Sequence, residues 1–312
     1  MKRCPITYDV IDEQAWYSQR GLSLLSPQLK DLKPLPLTAA EQRKEAVARA
    51  GKMSIQGVQT KLSAQLKIKD QYFDIVDKNG HYILKTQSEH YSELPENEAI
   101  TMTLASKIGI EVPVHGMVYA KDNSMTYFIK RFDRAGHRDK LSVEDFAQLS
   151  GLKRDTKYDS SMEKVASIIS KFCTFPKLEL VKLFKLTLFN FLTGNEDMHL
   201  KNFSLITRGR IITLSPAYDL LNSTIALENV KEEFALPLNG RKHNLKAKDF
   251  FHYFATERLG LNEVIIKEET ERFQAKLPLW KELISHSFLS KPMQEKYVTL
   301  LEERSQRLFE RG

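Results

Sequence analysis

The sequence has only two cysteines in 312 residues, and they stand far apart as Cys4 and Cys173. With no Cys-x-x-Cys pair and no clustered histidines, it offers neither a disulfide framework nor a thiolate or histidine metal site. We therefore expect two reduced thiols and a cytoplasmic protein, while delivery into another cell stays open.

Long apolar runs are also missing. The most apolar stretch, 181–193, is interrupted by Lys182, Lys185 and Asn190, so it is too short and too charged to cross a bilayer. The chain starts with basic and polar residues where a secretion signal would have its apolar core. We therefore expect no signal peptide and no membrane contact, and we expect 181–193 to be a helix buried in a core.

Positive charge is in excess, although it is not concentrated in one place. Lys and Arg number 47 against 40 Asp and Glu, which gives a formal net charge of +7 and a pI of about 9.1. Such a balance favours acidic partners such as nucleotide phosphates. Because the basic residues are scattered, the charge gives only weak support to direct nucleic-acid binding.

The patterning of apolar residues changes once along the chain, near Arg134. The first part alternates like β-strands and the second repeats like helices, which predicts an α+β fold with two lobes. These are an N-terminal mixed-sheet lobe over 1–134 and a C-terminal helical lobe over 135–312. The predicted helices are 38–50, 97–108, 142–151, 161–172 and 178–193; the predicted strands are 62–68, 72–76, 82–85, 114–120, 126–130 and 203–214, with a hairpin turn at Asn79-Gly80.

A loop between the apolar helix and a predicted strand contains Asp197 and, five residues later, Asn202. This is the spacing of a kinase catalytic loop. The carboxylate can accept the proton of an attacking hydroxyl, and the amide oxygen can hold Mg²⁺ without a second full negative charge. Lys201 can offset charge on the transferred phosphoryl group. Because such a spacing also arises by chance, the loop alone leaves a purely structural interpretation open.

Asp219 follows the predicted strand that ends at Leu214. A second Mg²⁺ ligand of a kinase stands at such a place. Taken alone, Asp219 is more readily explained as a turn or helix-cap residue. The order of the two motifs, after a sheet lobe, favours a catalytic site.

The first lobe has candidate phosphate-binding residues. Gly57 lets the backbone approach an anion closely, although a single glycine is a weak motif. Lys85 ends an apolar strand like the nucleotide lysine of kinases, and Glu98 on the next predicted helix is placed to pair with it. Lys85 as a solvated edge residue and Glu98 as a first-turn residue favoured by the helix dipole are the alternatives.

Together these motifs resemble the HipA-type Ser/Thr kinases. The resemblance rests on Ser54-Ile55-Gln56-Gly57-Val58-Gln59-Thr60-Lys61, Phe132-Asp133-Arg134, Asn195-x-Asp197-x-His199-x-x-Asn202-Phe203-Ser204 and Pro216-x-Tyr218-Asp219-Leu220. It covers nearly the whole chain and is closer to the short HipT toxins of three-gene HipBST systems. The combination of motifs is specific, whereas no single motif is.

The resemblance implies a protein-kinase-like fold that uses ATP and Mg²⁺. It makes Asp197 the catalytic base, Asn202 and Asp219 the Mg²⁺ ligands, and Lys85 a contact of the ATP phosphates. The further nucleotide-binding residues that it implies are Gln56, Gly57, Val58, Gln59, Thr60 and Lys61 as a phosphate loop, Lys130, Arg131 and Phe132 as the adenine hinge, and His199 and Tyr218. Ser54 falls on the autophosphorylation position, where a phosphate adds roughly −2 charge beside the phosphate loop and should switch the kinase off.

The resemblance also implies partners. The protein substrate would be an aminoacyl-tRNA synthetase, phosphorylated so that translation stops. A HipB-like helix-turn-helix antitoxin and a small HipS-like protein would bind the toxin, and DNA would be contacted only through the antitoxin.

Two other functions stay open at this stage. One is a small-molecule phosphotransferase, which an acidic pocket for a cationic substrate would favour. The other is a nucleotide-binding module that acts through a DNA-binding partner. The presence of Lys85, Asp197, Asn202 and Asp219 argues against a catalytically dead module.

Overall fold

The computed structural model describes residues 1–49, 60–136, 139–151, 158–227 and 232–310. The chain divides into two compact units. The first comprises 1–103, 113–139 and 286–290, and the second comprises 104–112, 140–285 and 291–312. The predicted α+β class is confirmed, because a five-stranded antiparallel sheet dominates the first unit and helices dominate the second.

The helices are α1 (Gln19–Leu25), α2 (Ala39–Arg49), α3 (Leu94–Lys107), α4 (Phe146–Leu149), α5 (Met162–Phe172), α6 (Pro176–Thr193), α7 (Ser223–Ala226), α8 (Glu263–Ser285) and α9 (Lys291–Phe309), with a 3₁₀ turn at Leu200–Asn202 and a π-helix at Asp249–Arg258. The strands are β1 (Lys61–Lys67), β2 (Tyr72–Ile75), β3 (Tyr82–Lys85), β4 (His115–Tyr119), β5 (Met125–Lys130), β6 (Arg134–Ala135), β7 (Asp139–Lys140), β8 (Ser142–Asp145), β9 (Ser204–Arg208) and β10 (Ile211–Leu214). No helix in the described ranges is long and apolar enough to span a membrane.

The sheet of the first unit has the strand order β2-β1-β3-β5-β4 and is antiparallel throughout. Its buried face carries Leu62, Ala64, Phe73, Leu84 and Phe128, which form one apolar cluster with residues of the N-terminal segment. Because side chains alternate between the two faces of a strand, the same pleat that buries Leu84 sends its neighbour Lys85 to the other face.

The predicted hairpin between 72–76 and 82–85 is wrong, because β2 and β3 pair with opposite edges of β1. The segment between them passes over the start of β1, where the Val76 N–H donates to the Ser63 carbonyl at 2.9 Å. A Cβ at Gly80 would clash with Ser63 Oγ, so glycine is required there for the close crossing rather than for a hairpin.

The predicted helix over 142–151 is also corrected. Residues Ser142–Asp145 form β8, which pairs with β9 so that Asp145 lies opposite Ser204. Only the short α4 follows, and a capping box between Asp145 and Gln148 starts it. Strand β8 pairs with residues far along the chain, which a local pattern does not indicate.

Helix α6 is the centre of the second unit. It begins at Pro176, whose missing N–H is tolerated in the first turn, and its sides bury apolar residues including Phe189 and Leu192. Phe189 packs edge-on against Trp280 of α8, with ring centroids 5.5 Å apart. This confirms the prediction of a core helix over 181–193, and its C-terminus delivers the chain to the candidate site.

Candidate active site

The loop that follows α6 is anchored by Gly194. Its φ of +68° ends the helix in the left-handed region, and its carbonyl accepts hydrogen bonds from Ser223 Oγ and Thr224 Oγ1 at 3.2 and 3.0 Å. A Cβ here would lie 2.5 Å from Leu300 Cδ2 and 2.8 Å from Asn222 Oδ1. The start of the candidate catalytic loop is therefore fixed by close packing.

Asp197 and Asn202 belong to one hydrogen-bonded loop. The main-chain carbonyl of Asp197 accepts from the His199 N–H at 2.8 Å and from the Asn202 side chain at 3.0 Å. The 3₁₀ turn at Leu200–Asn202 brings the amide back to residue 197. Because Asn202 uses Nδ2 in this bond, Oδ1 is the atom that its amide offers to a ligand.

Tyr218 connects the segment of Asp219 to the same loop. The residue is half-buried, and its hydroxyl donates to the Lys201 carbonyl at 2.8 Å and lies 2.6 Å from Ser204 Oγ. Since the phenol proton goes to Lys201, the serine is the donor in the second bond. Burial raises the pKa of Tyr218, so the phenol stays protonated and both bonds persist at neutral pH.

Asp219 follows Tyr218 with a φ of +55°, which is uncommon for a residue with a side chain. Such a conformation costs free energy of order 1–3 kcal/mol and is retained where the surrounding structure requires it. The strained residue is the one that the sequence marks as the second metal ligand.

The donor set suits a cation held jointly with a nucleotide. Among the described residues, no group of three or more His, Cys, Asp or Glu side chains lies together as a metal site. Mg²⁺ is commonly bound through one or two protein oxygens, with phosphate oxygens and water completing the octahedron. One amide oxygen from Asn202 and one carboxylate from Asp219 fit that pattern.

In the first unit, Lys85 and Glu98 form a buried ion pair. Lys85 Nζ lies 2.6 Å from Glu98 Oε1, and the two side chains are 5% and 3% exposed. The structure therefore supports the interpretation in which Lys85 pairs with Glu98, and it contradicts the one in which Lys85 is a solvated edge residue. A buried ion pair adds little to the stability of a protein, because the cost of desolvating both charges offsets their attraction. We therefore expect Lys85 to serve function and not only stability.

Two of the predicted hinge residues already use their main-chain N–H groups in hydrogen bonds within the first unit. The N–H of Lys130 donates to the Val114 carbonyl at 2.8 Å, and the N–H of Arg131 donates to the His81 carbonyl at 2.7 Å. The Arg131 guanidinium binds both carboxylate oxygens of Asp133, at 2.9 and 2.7 Å. The contact of the hinge with an adenine ring stays a prediction.

The remaining predicted residues divide into two groups. Ser54 and the phosphate-loop positions Gln56, Gly57, Val58 and Gln59 lie outside the described residues. Thr60 Oγ1 is 3.1 Å from Thr86 Oγ1, Lys61 lies opposite Lys85 in the sheet, Phe132 is half-buried, and His199 is buried beside Asp197.

Sequence reasoning missed two neighbours of Asp197. The Tyr158 hydroxyl donates to Asp197 Oδ1 at 2.7 Å. Glu196 is partly buried, which raises its pKa to about 7; Arg304 opposes this shift, and Asp197 and Glu232 add to it. No local motif marks Tyr158, since it lies far from Asp197 in sequence.

Comparisons with known proteins place the chain among kinase-like relatives. Residues 53–280 match the family model described as HipA-like C-terminal domain. A putative kinase of Haemophilus influenzae is 28% identical over an alignment of 305 positions, and the alignment covers 88% of this chain and 88% of that protein. The serine/threonine-protein kinase toxin HipA of Shewanella oneidensis is 27% identical over an alignment of 208 positions, and the alignment covers 60% of this chain and 47% of that protein.

The fold has a counterpart among solved structures. A chain of the Shewanella oneidensis complex of HipA, HipB and operator DNA superposes with a TM-score of 0.69 at 22% identity, over 89% of this chain and 72% of that chain. At this identity the likeness establishes the fold.

Proposed function

This chain belongs to the family of HipA-like C-terminal domains, and from that premise we propose that it is an ATP- and Mg²⁺-dependent Ser/Thr protein kinase and the toxin of a toxin–antitoxin system. The observation that carries the proposal is the bond from Asn202 Nδ2 to the Asp197 carbonyl. It holds a candidate base and a candidate metal ligand in one loop, to which Tyr218 connects the segment of Asp219.

The chemistry follows from the residue types. Asp197 accepts the proton of the acceptor hydroxyl as the hydroxyl oxygen attacks the terminal phosphorus of ATP, while the bond from that phosphorus to the bridging oxygen breaks and ADP leaves. Lys201 stabilises negative charge on the transferred group. Asn202 Oδ1 and the Asp219 carboxylate would hold Mg²⁺, which when bound neutralises charge on the phosphates.

In the first unit, Lys85 would bind the ATP phosphates, with Glu98 directing its ammonium group. Residues 56–61 would form the phosphate loop and residues 130–132 the adenine hinge. In the second unit, His199 would contact the nucleotide. For Tyr218 we favour an indirect role, because its hydroxyl is committed to Lys201 and Ser204.

The partners belong to the proposal as well. The complex of the Shewanella protein with HipB and operator DNA supports a HipB-like antitoxin, through which DNA would be contacted. The resemblance to short HipT toxins supports a small HipS-like partner, an aminoacyl-tRNA synthetase as substrate, and action in the cytoplasm.

Self-phosphorylation at Ser54 provides a test that needs no known substrate. After phosphatase treatment and incubation with ATP and Mg²⁺, we expect intact-mass spectrometry to show an added phosphate that peptide mapping places on Ser54. Ser54→Ala should not gain it, whereas Ser142→Ala, at an exposed serine of β8, should. Phosphorylated protein should bind ATP more weakly, because about −2 charge is added beside the phosphate loop. Absence of phosphate on the protein itself and on every purified synthetase would contradict the proposal.

One observation favours a second candidate, a phosphotransferase for cationic small molecules. Burial is the main cause of the raised pKa of Glu196, Arg304 opposes the rise, and Asp197 and Glu232 add to it, so three carboxylates lie near one another. Carboxylates around a catalytic base would attract a cationic acceptor. Transfer of phosphate to amines or amino sugars, with none to protein, would favour this candidate.

A further inference from the structure

Tyr158 contacts the candidate catalytic base directly. Its hydroxyl lies 2.7 Å from Asp197 Oδ1. An ionised carboxylate only accepts hydrogen bonds, so the phenol is the donor. Burial raises the pKa of Tyr158, and the bond to Asp197 raises it further, so the donor proton is present at neutral pH.

The ring of Tyr158 is held against the catalytic loop. It meets the His199 ring edge-on, with centroids 5.2 Å apart and planes at 81°. His199 is buried and donates its N–H to the Asp197 carbonyl at 2.8 Å. The phenol is thereby directed at Asp197 by a side chain of the same loop.

Tyr158 is nevertheless a surface residue. It is 41% exposed, and so it can leave Asp197 without opening the core of the second unit. The Tyr158 hydroxyl is therefore well oriented toward the Asp197 carboxylate, and the contact can still be broken without disturbing the core.

A general base must lie about 2.6–3.2 Å from the hydroxyl whose proton it takes. The Tyr158 hydroxyl lies at such a distance from Asp197, 2.7 Å from Oδ1. We propose that Tyr158 occupies the place of the acceptor hydroxyl at Asp197 and has to be displaced before a substrate is phosphorylated. The inference rests on the proposed kinase function, and it makes Tyr158 a residue that acts through Asp197 and restrains the enzyme when no acceptor is bound.

The opposite role is that the Tyr158 hydroxyl orients Asp197 for catalysis. The two roles predict opposite results when the hydroxyl is removed. A competitor lowers activity, so its loss raises turnover, whereas an orienting group supports activity, so its loss lowers turnover. Replacement by phenylalanine keeps the ring against His199 and removes only the hydroxyl.

The test compares Tyr158→Phe with the wild-type protein in two assays. Hydrolysis of Mg²⁺–ATP without an acceptor should rise about 10- to 150-fold, because a hydrogen bond to a charged group no longer competes with water for the base. With a generic protein acceptor such as casein, the KM for the acceptor should fall while the KM for ATP stays unchanged. The double variant Tyr158→Phe with Asp197→Asn should lose the gain.

Tyr91→Phe is the matched control, since Tyr91 is a tyrosine of the first unit with a similar exposure of 40%. It should behave like the wild type. If Tyr158→Phe lowers turnover or leaves it unchanged while the wild type is active, the inference is wrong and the kinase proposal stands. If neither protein turns over ATP, the kinase proposal is wrong, and the inference about Tyr158, which depends on it, is wrong as well.

Discussion

Replacing Asp197 by Asn is expected to slow phosphoryl transfer about 10²- to 10⁴-fold, the contribution of a positioned general base. The amide keeps the size of the carboxylate and can still accept a hydrogen bond from Tyr158, but it cannot take a proton. Because the Asp197 main chain, and not its side chain, binds Asn202, the loop should keep its shape. ATP affinity should therefore stay close to that of the wild type in calorimetry.

Glu196→Gln is the control for this prediction. It removes the neighbouring carboxylate, whose pKa burial already raises to about 7, and leaves Asp197 in place. Its effect on the transfer rate should be far smaller. An Asp197→Asn protein that keeps more than about a tenth of the wild-type rate would show that another group takes the proton.

Gly194→Ala should lower the free energy of unfolding of the second unit by about 2–5 kcal/mol, from about 1–2 for the left-handed backbone and 1–3 for overpacking. The backbone contribution arises from a φ of +68°. The packing contribution arises because the new methyl would lie 2.5 Å from Leu300 Cδ2, 2.8 Å from Asn222 Oδ1 and 2.9 Å from Thr224 Oγ1.

Gly209→Ala separates these two contributions. Gly209 has a φ of +64° but nothing within 4 Å of an added Cβ, so only the backbone cost of about 1–2 kcal/mol applies. Denaturation followed by tryptophan fluorescence suits the measurement, since Trp280 is fully buried in the second unit and Trp16 is 44% exposed. Equal losses for the two variants would mean that Gly194 is not closely packed.

Much of the fold follows from local sequence. The exchange of hydrogen bonds between Thr38 and Glu41 starts α2 as predicted, and the apolar residues of 181–193 fill a core helix as predicted. The loop of Asp197 and Asn202 is also local, since its five-residue spacing is closed by bonds within the loop, and its catalytic role stays a prediction. These features can be predicted from the sequence because the interacting residues are near one another along the chain.

What the sequence did not reveal depends on distant partners. The order of β2, β1 and β3 is set by a crossing at Gly80, and β8 exists because it pairs with β9. Tyr158 contacts Asp197 across 39 positions, and such a contact has no periodicity or motif. The sequence allowed Lys85 either to pair with Glu98 or to be a solvated edge residue. The choice depends on the tertiary packing that buries both side chains, which the sequence does not show.

The central claim is that Asp219 helps to hold the Mg²⁺ of a bound nucleotide in the same site as Asn202. The direct measurement is calorimetric binding of a non-hydrolysable ATP analogue to the wild type and to Asp219→Asn, with and without Mg²⁺. Outer-shell changes at metal sites already cost about 10- to 100-fold in affinity, so loss of a ligand should cost at least about tenfold with Mg²⁺. Without Mg²⁺ Asp219→Asn should bind the analogue at least as tightly as the wild type, because a negative charge beside the phosphates is removed. Asp70→Asn, in the exposed turn between β1 and β2, should match the wild type throughout. Equal affinity of wild type and Asp219→Asn in the presence of Mg²⁺ would contradict the account.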